Sequence, residues 1–187
     1  MTKSIERATG VLLRAVAFAA DRHRDQRRKS VEASPYINHP VDVANTLADV
    51  GRVTNRHVLV AAVLHDTIED TQTSAEELER LFGPKVRRLV EEVTDDKTLP
   101  RLERKRLQIE HAQDLSTGAK KIKLADKTCN LEDVVERPPV GWSLERRREY
   151  VEWTEQVVAG CRGANAALER HFDTVLRKAR KVLFASH

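Results

Sequence analysis

The chain reads as an all-α protein. Apolar residues recur at helical spacing along most of its length, and Gly and Pro are few, 7 and 6 of 187. Aromatic residues make up only 4%, so aliphatic side chains must fill the interior. A length of 187 residues fits one domain, 1–187, long enough to bury a real core.

The elements follow in order. Ser4–His23 places Val11, Leu12, Ala15, Val16, Phe18 and Ala19 on one helical face. Arg22–Ser34 loses that period and reads as a loop with a basic edge. Pro40 suits the first turn of a helix, and the residue before a proline is pushed towards extended backbone, so His39 is expected at a helix entrance. Val41, Ala44, Leu47 and Ala48 give that helix an inner face, and Gly51 ends it. A central helix is expected over Arg56–Asp70. Thr73 and Glu76 have capping-box spacing, opening a helix that closes at Phe82-Gly83. Pro84 begins another, with Val86, Leu89, Val90 and Val93 inward, and TDDKTLP breaks it before a charged helix over Arg101–His111. After a turn at Ser116–Gly118, Leu124, Thr128, Leu131 and Val135 form a stripe, with Asp126, Asn130 and Asp133 on a neighbouring face. RPPVGW is a loop. A helix over Leu144–Ala159 presents Tyr150, Trp153 and Val157, Gly160 and Gly163 interrupt it, and a last helix packs through Leu168, Phe172, Val175, Leu176, Ala179 and Leu183.

Lys and Arg exceed Asp and Glu by 33 to 29, a formal charge of +4 that favours anionic ligands in general. The basic residues are scattered among acids, as in RRLVEEVTDDK, with no interleaved aromatic residues of the kind a stacking platform requires. Neither DNA nor RNA is therefore an expected partner. Cys129 and Cys161 are the only cysteines and form no CxxC pair, which fits a reducing compartment and leaves a single disulfide open. The N-terminal VLLRAVAFAA is broken by Arg14 and lacks a cleavage pattern, and no apolar run approaches the roughly 18 residues that cross a bilayer. A cytoplasmic protein without a membrane partner is the expectation.

The stretch that carries chemistry is VAAVLHDTIEDT, Val60–Thr71. An apolar run leads into His65-Asp66, and one turn later come Glu69 and Asp70. On a continuous helix His65 would pair with Glu69 and Asp66 with Asp70. An imidazole beside a carboxylate can bind a divalent cation, and the second acid pair can handle protons of an attacking water. The residues alone leave open a plainer reading, a core helix that surfaces at His65 with its acids solvated. Adding His39 and Asp126 gives two imidazoles and two carboxylates, a donor set suited to Mn, Fe or Zn. His23, His57 and His111 lie in polar surface contexts and are weaker ligand candidates.

The ordered set NHP, LHDTIEDT and KLADKTCNL resembles the HD-domain metal hydrolases. More narrowly it is similar to the (p)ppGpp hydrolase domain of the RelA/SpoT family, above all its free-standing small alarmone hydrolases. HRDQRRK, PYINHP, FGPKVRRLVEEVTDDKTLPRLERKRLQIE and GAKKIKLADK extend the likeness over about Ala15–Gly163. The resemblance implies an HD-domain helical bundle holding one Mn2+ through His39, His65, Asp66 and Asp126. It implies Glu69 and Asp70 as the acid/base pair, and removal of pyrophosphate from the 3′ position of guanosine tetra- or pentaphosphate. Arg28, Lys29 and Ser30 align with a family segment that contacts guanine and phosphate, and Asn130 and Tyr150 are further substrate-contact candidates. Zn2+ or Fe2+ would suit the same ligands. Cys129 stands where these hydrolases commonly have an aromatic residue, a departure expected to bear on substrate preference through the pocket wall or base stacking. Two other functions fit the same residues: removal of the 2′-phosphate of NADPH, and a non-catalytic nucleotide-binding module.

Overall fold

The computed structural model describes residues 2–185, with side chains from residue 9 onward. Helices follow one another as α1 (Thr2–Arg22), α2 (Asn38–Asp49), α3 (Arg56–Leu64), α4 (Thr67–Asp70), α5 (Ala75–Phe82), α6 (Pro84–Val93), α7 (Arg101–His111), α8 (Thr117–Glu136), α9 (Leu144–Cys161) and α10 (Ala166–Leu183), with a 3-10 turn at Ala112–Asp114. Among the described residues no strand forms, and Arg27 and Pro35 make one isolated bridge. The all-α expectation is met.

Two helices form the centre. In α3, Val58 and Val60 through Leu64 are all buried, and in α8 every residue from Ile122 to Cys129 is buried. A helix buried on all sides must be surrounded. Accordingly α8 packs against α2, α3, α6, α9 and α10, and α3 against α1, α2 and α6. The last helix docks through the expected stripe: Leu168, Phe172, Val175, Leu176, Ala179 and Leu183 are all buried. Each of these Leu, Val and Phe side chains contributes about 1.5–3 kcal/mol when removed from water.

Several details differ from the sequence reading. The inner face of α2 is His39, Pro40, Val43 and Leu47, while Val41 is 39% exposed. The helix starts at Asn38, so His39 lies in its first turn rather than in extended backbone. The cap of α5 is Ser74, which accepts from the Glu77 N–H, one residue later than Thr73 and Glu76; Thr73 bonds the Thr71 hydroxyl instead. Gly160 does not interrupt α9, which runs on to Cys161. A Cβ at Gly160 would lie 2.7 Å from the Ala112 Cβ, so glycine permits α9 to approach the Ala112–Asp114 turn. Both cysteines are free and buried.

The segment between α1 and α2 folds back on itself. Arg28 N–H donates to Ser34 O at 2.8 Å, Tyr36 N–H to Gln26 O at 3.0 Å, and Ala33 turns the chain at φ 46°. Val140 N–H, after α8, donates to Lys29 O at 2.7 Å and fixes this loop against the rim of the cleft. Among the described residues no helix is long and apolar enough to cross a membrane.

Candidate metal centre and nucleotide cleft

The expected continuous helix over Arg56–Asp70 breaks after Leu64. His65 closes α3 and Asp66 opens α4, both in αR backbone but not in one helix. That break undoes the paired arrangement expected for His65 with Glu69 and Asp66 with Asp70. It aims His65 and Asp66 at α2 and α8, and sends Glu69 and Asp70 to the Thr94–Pro100 connection.

Four polar side chains then converge from three segments. His39 Nε2 is 3.2 Å from Asp126 Oδ1 and 3.9 Å from Asp66 Oδ2. His65 Nε2 is 3.2 Å from Asp66 Oδ2 and 3.7 Å from Asp126 Oδ1. Ligating atoms of His39, His65 and Asp126 all lie within 4.8 Å of one another. Donors that each sit about 2.1 Å from a shared ion are separated by roughly 3–4 Å, so the spacing suits a divalent cation. His65 donates Nδ1–H to Ala62 O at 2.8 Å. Its Nε2 atom is thereby turned into the cluster, beside Asp66 and Asp126.

The electrostatics call for a cation. Burial disfavours charged His65, but Asp66 and Asp126 outweigh it and push the imidazole up to about 9. Burial also opposes the ionised Asp126; Lys127, His39 and His65 overcome it and hold the carboxyl well below its usual range. Asp66 is lowered against burial chiefly by His65 and His39. In the ion-free chain a proton on an imidazole thus answers the buried Asp126 and the partly buried Asp66, a role a divalent ion fills better.

Both oxygens of Asp126 are fixed. Lys127 Nζ lies 3.1 Å from Oδ2, and Asn130 donates to Oδ1 at 2.5 Å. Asn130 in turn accepts from Arg28 at 3.0 Å, and Arg28 pairs with Asp133 at 2.5 Å. This chain runs from the metal centre to the loop carrying Arg28, Lys29 and Ser30.

The acid pair sits beside the cluster in two different settings. Glu69 accepts from the Asp95 N–H at 3.2 Å and lies 3.8 Å from Arg104; burial, then Asp95, raises its pKa. Asp70 pairs with Lys97, and its carbonyl accepts from Gln26 at 2.6 Å.

Of these groups His39 and Asp70 line a cleft of about 930 Å³, with His65, Asp66, Asp126 and Glu69 outside that lining; the lining also includes Arg28, Lys29, Ser30, Asn130 and Tyr150, all expected from sequence. Cys129 is absent from that lining. It faces α2, with Sγ 3.5 Å from Thr46 Oγ1, so the Cys129 departure does not alter the wall as expected.

Sequence reasoning missed other lining residues. Tyr36 donates to Asp66 Oδ2 at 2.7 Å, and its only signal was its place in PYINHP. Trp142, Tyr150 and Trp153 form an aromatic ladder with centroids 5.5 and 5.3 Å apart. Arg146 stacks over Trp142 at 4.4 Å, and Lys127 and Lys105 over Trp153 at 4.6 and 4.8 Å. Aromatic and basic residues scattered along the sequence are thus interleaved in space. His23 is buried against the Tyr36 ring at 4.9 Å and is not part of the ligand cluster.

An HD-domain family model matches residues 15–159. The chain is 58% identical over 158 residues to the Homo sapiens guanosine-3′,5′-bis(diphosphate) 3′-pyrophosphohydrolase MESH1, covering 84% of this chain and 88% of that protein. It is 55% identical over 162 residues to the Danio rerio protein of the same name, covering 87% and 90%. A solved structure described as a metazoan ortholog of SpoT that hydrolyzes ppGpp superposes with a TM-score of 0.88 at 48% identity, covering 90% of this chain and 94% of that one.

Proposed function

The chain belongs to the HD-domain family, and on that premise we propose that it is a metal-dependent hydrolase releasing pyrophosphate from the 3′ position of guanosine tetra- and pentaphosphate. The products are GDP or GTP and pyrophosphate. The observation that carries the reading is the convergence of His39, His65, Asp66 and Asp126 beside two acids, next to a cleft that His39 and Asp70 line and that cations and aromatic rings rim. The similar proteins named for this reaction support the choice of substrate. Mn2+ is the proposed ion, with Zn2+ and Fe2+ suited to the same donors. The domain is taken as 1–187, and its proposed setting is the cytoplasm.

A divalent ion held by these four residues would supply Lewis acidity at the 3′-phosphoryl group. His65 keeps its Nε2 available through the Nδ1–H bond to Ala62. Lys127 and Asn130 hold the two oxygens of Asp126 in place. Asp70, on the cleft and paired with Lys97, is the proposed orienter of the attacking water. Glu69, held by the Asp95 N–H, is the proposed proton carrier, taking a proton from the attacking water and passing it to the leaving oxygen. Cations at the rim offset the charge of the substrate, and the aromatic ladder offers a face for the base.

The test is turnover of a nucleotide panel by purified protein with Mn2+. Release of GDP and pyrophosphate from ppGpp, abolished by chelator and restored by Mn2+, is the expected result. Faster turnover of NADPH under the same conditions would contradict the assignment.

A further inference from the structure

Charge is concentrated without partners on the wall of the cleft built by α7 and α9. Of the eight Lys and Arg side chains that line the cleft, Arg28 and Arg137 share Asp133 and Arg104 approaches Glu69, while Arg27 and Lys29, on the loop before α2, have no acid partner among the described residues. Arg101, Lys105 and Arg146 have none within 4.0 Å among the described residues, although all three line the cleft. Arg106, on the same helix but outside that lining, pairs with both Glu103 and Glu110. The contrast lies in direction, since acids are plentiful on α7 and are simply not placed on the cleft side.

These cations also crowd one another. Burial, then Arg101, depresses the Lys105 ammonium, with Arg146 and Lys127 adding to the effect and Glu149 offsetting part of it. Two of the three are seated on the aromatic ladder, Lys105 on Trp153 and Arg146 on Trp142. The Lys105 carbonyl also accepts from Trp153 Nε1 at 3.0 Å, which fixes α7 to α9. Like charges held together on rigid supports destabilise the free protein and favour an anion that bridges them. The metal centre is separate but near. Lys127, which holds Asp126, lies against the same Trp153 ring as Lys105.

We propose that Arg101, Lys105 and Arg146 form a second anion subsite that receives the 5′-phosphates of the substrate nucleotide while its 3′ end lies at the metal centre. This rests on the nucleotide reading under Proposed function. A nucleotide phosphorylated on both arms needs positive charge at two places, and the four-ligand cluster provides only one. The subsite makes the 5′-diphosphate a determinant of affinity rather than a solvent-exposed tail.

The test compares binding of GDP and guanosine to the Mn2+-loaded protein by calorimetry. Wild type is expected to bind GDP more tightly than guanosine. The Lys105→Gln/Arg146→Gln double variant should lose about tenfold or more in GDP affinity with little change for guanosine, as expected when charge-assisted contacts are removed. Lys105→Arg/Arg146→Lys should retain most of the GDP affinity. Arg101→Gln, at an exposed position, gives the same readout should the double variant fold poorly. Arg106→Gln removes the same charge outside the cleft and should leave GDP affinity unchanged. Equal GDP affinity in the wild type and both neutralised variants would overturn the subsite, as would an equal loss in Arg106→Gln or absence of GDP binding to wild type. Neither ligand carries a 3′-phosphate, so failure to hydrolyse ppGpp would overturn the assigned reaction without changing this result.

Discussion

The Tyr36 hydroxyl donates to Asp66 Oδ2 at 2.7 Å and stands 3.4 Å from Asp70 Oδ2. One oxygen therefore links a candidate metal ligand to a candidate catalytic acid. Burial, and then Asp66, keep that hydroxyl protonated and hence a donor. Its ring packs edge-on to His39 at 6.0 Å, with Arg28 over it at 5.7 Å. Partners that orient ligating carboxylates typically carry 10–100-fold in metal affinity or activity. Tyr36→Phe, which deletes one oxygen and keeps the ring, is expected to lower Mn2+ affinity or kcat/KM by roughly tenfold. Mn2+ titration followed by the resonance of the free ion checks the first, and steady-state kinetics the second. Wild-type values in both would show that the hydroxyl does not support the centre.

Metal should stabilise the fold as well as activate it. The two carboxylates and two imidazoles come from α2, the α3–α4 junction and α8, so an ion among them binds the folded state alone. At a concentration 100 times its dissociation constant, such a ligand adds about 2.7 kcal/mol. The Tm of wild type is expected to rise with Mn2+ and fall back with chelator, and Asp126→Asn should lose most of the rise. A Tm insensitive to Mn2+ would contradict the site.

Stability of the ion-free protein should depend on pH in a defined direction. His65 is raised from 6.5 to about 9 on folding, so its contribution is fully present below pH 6.5 and is lost as pH rises through about 9. Asp66 and Asp126 are lowered; their contribution is present above about 3.8, the unfolded value, and is lost as pH falls further. Denaturant unfolding of chelator-treated protein should therefore weaken from pH 7 to 10, and Mn2+ should flatten that decline.

Glu69→Gln and Asp70→Asn address the acids. General acid–base groups contribute about 10²–10⁴-fold, so each variant should lose kcat by about that factor while Mn2+ affinity changes far less. Persistent turnover in both would refute the assigned roles.

Much of this site is legible in the residue order. His39 before a proline, the His65-Asp66 couple after an apolar run, and Asp126 within KLADKTCNL identify the ligand candidates. The helical period recovers the faces of α6 and α10, because those helices have one apolar stripe each. The break after Leu64 is not legible, since VLHDTIED carries no Gly or Pro to mark it; tertiary convergence on Asp126 stands in place of a local signal. The face of α2 is misread by local pattern because His39, a polar residue, is among its buried positions. Tyr36, Lys127 and Trp153 acquire their roles from contacts between segments 26 to 48 residues apart, which spacing along the chain does not encode. Arg28 is placed at the cleft as expected, but its ties to Asn130 and Asp133 are visible only once α8 lies against the loop.

The most direct measurement is an anomalous-scattering map at the manganese edge from crystals grown with Mn2+. A single strong peak within coordination distance of His39 Nε2, His65 Nε2 and carboxylate oxygens of Asp66 and Asp126 is the predicted result. A peak elsewhere, or one that leaves either aspartate uncoordinated, would contradict it.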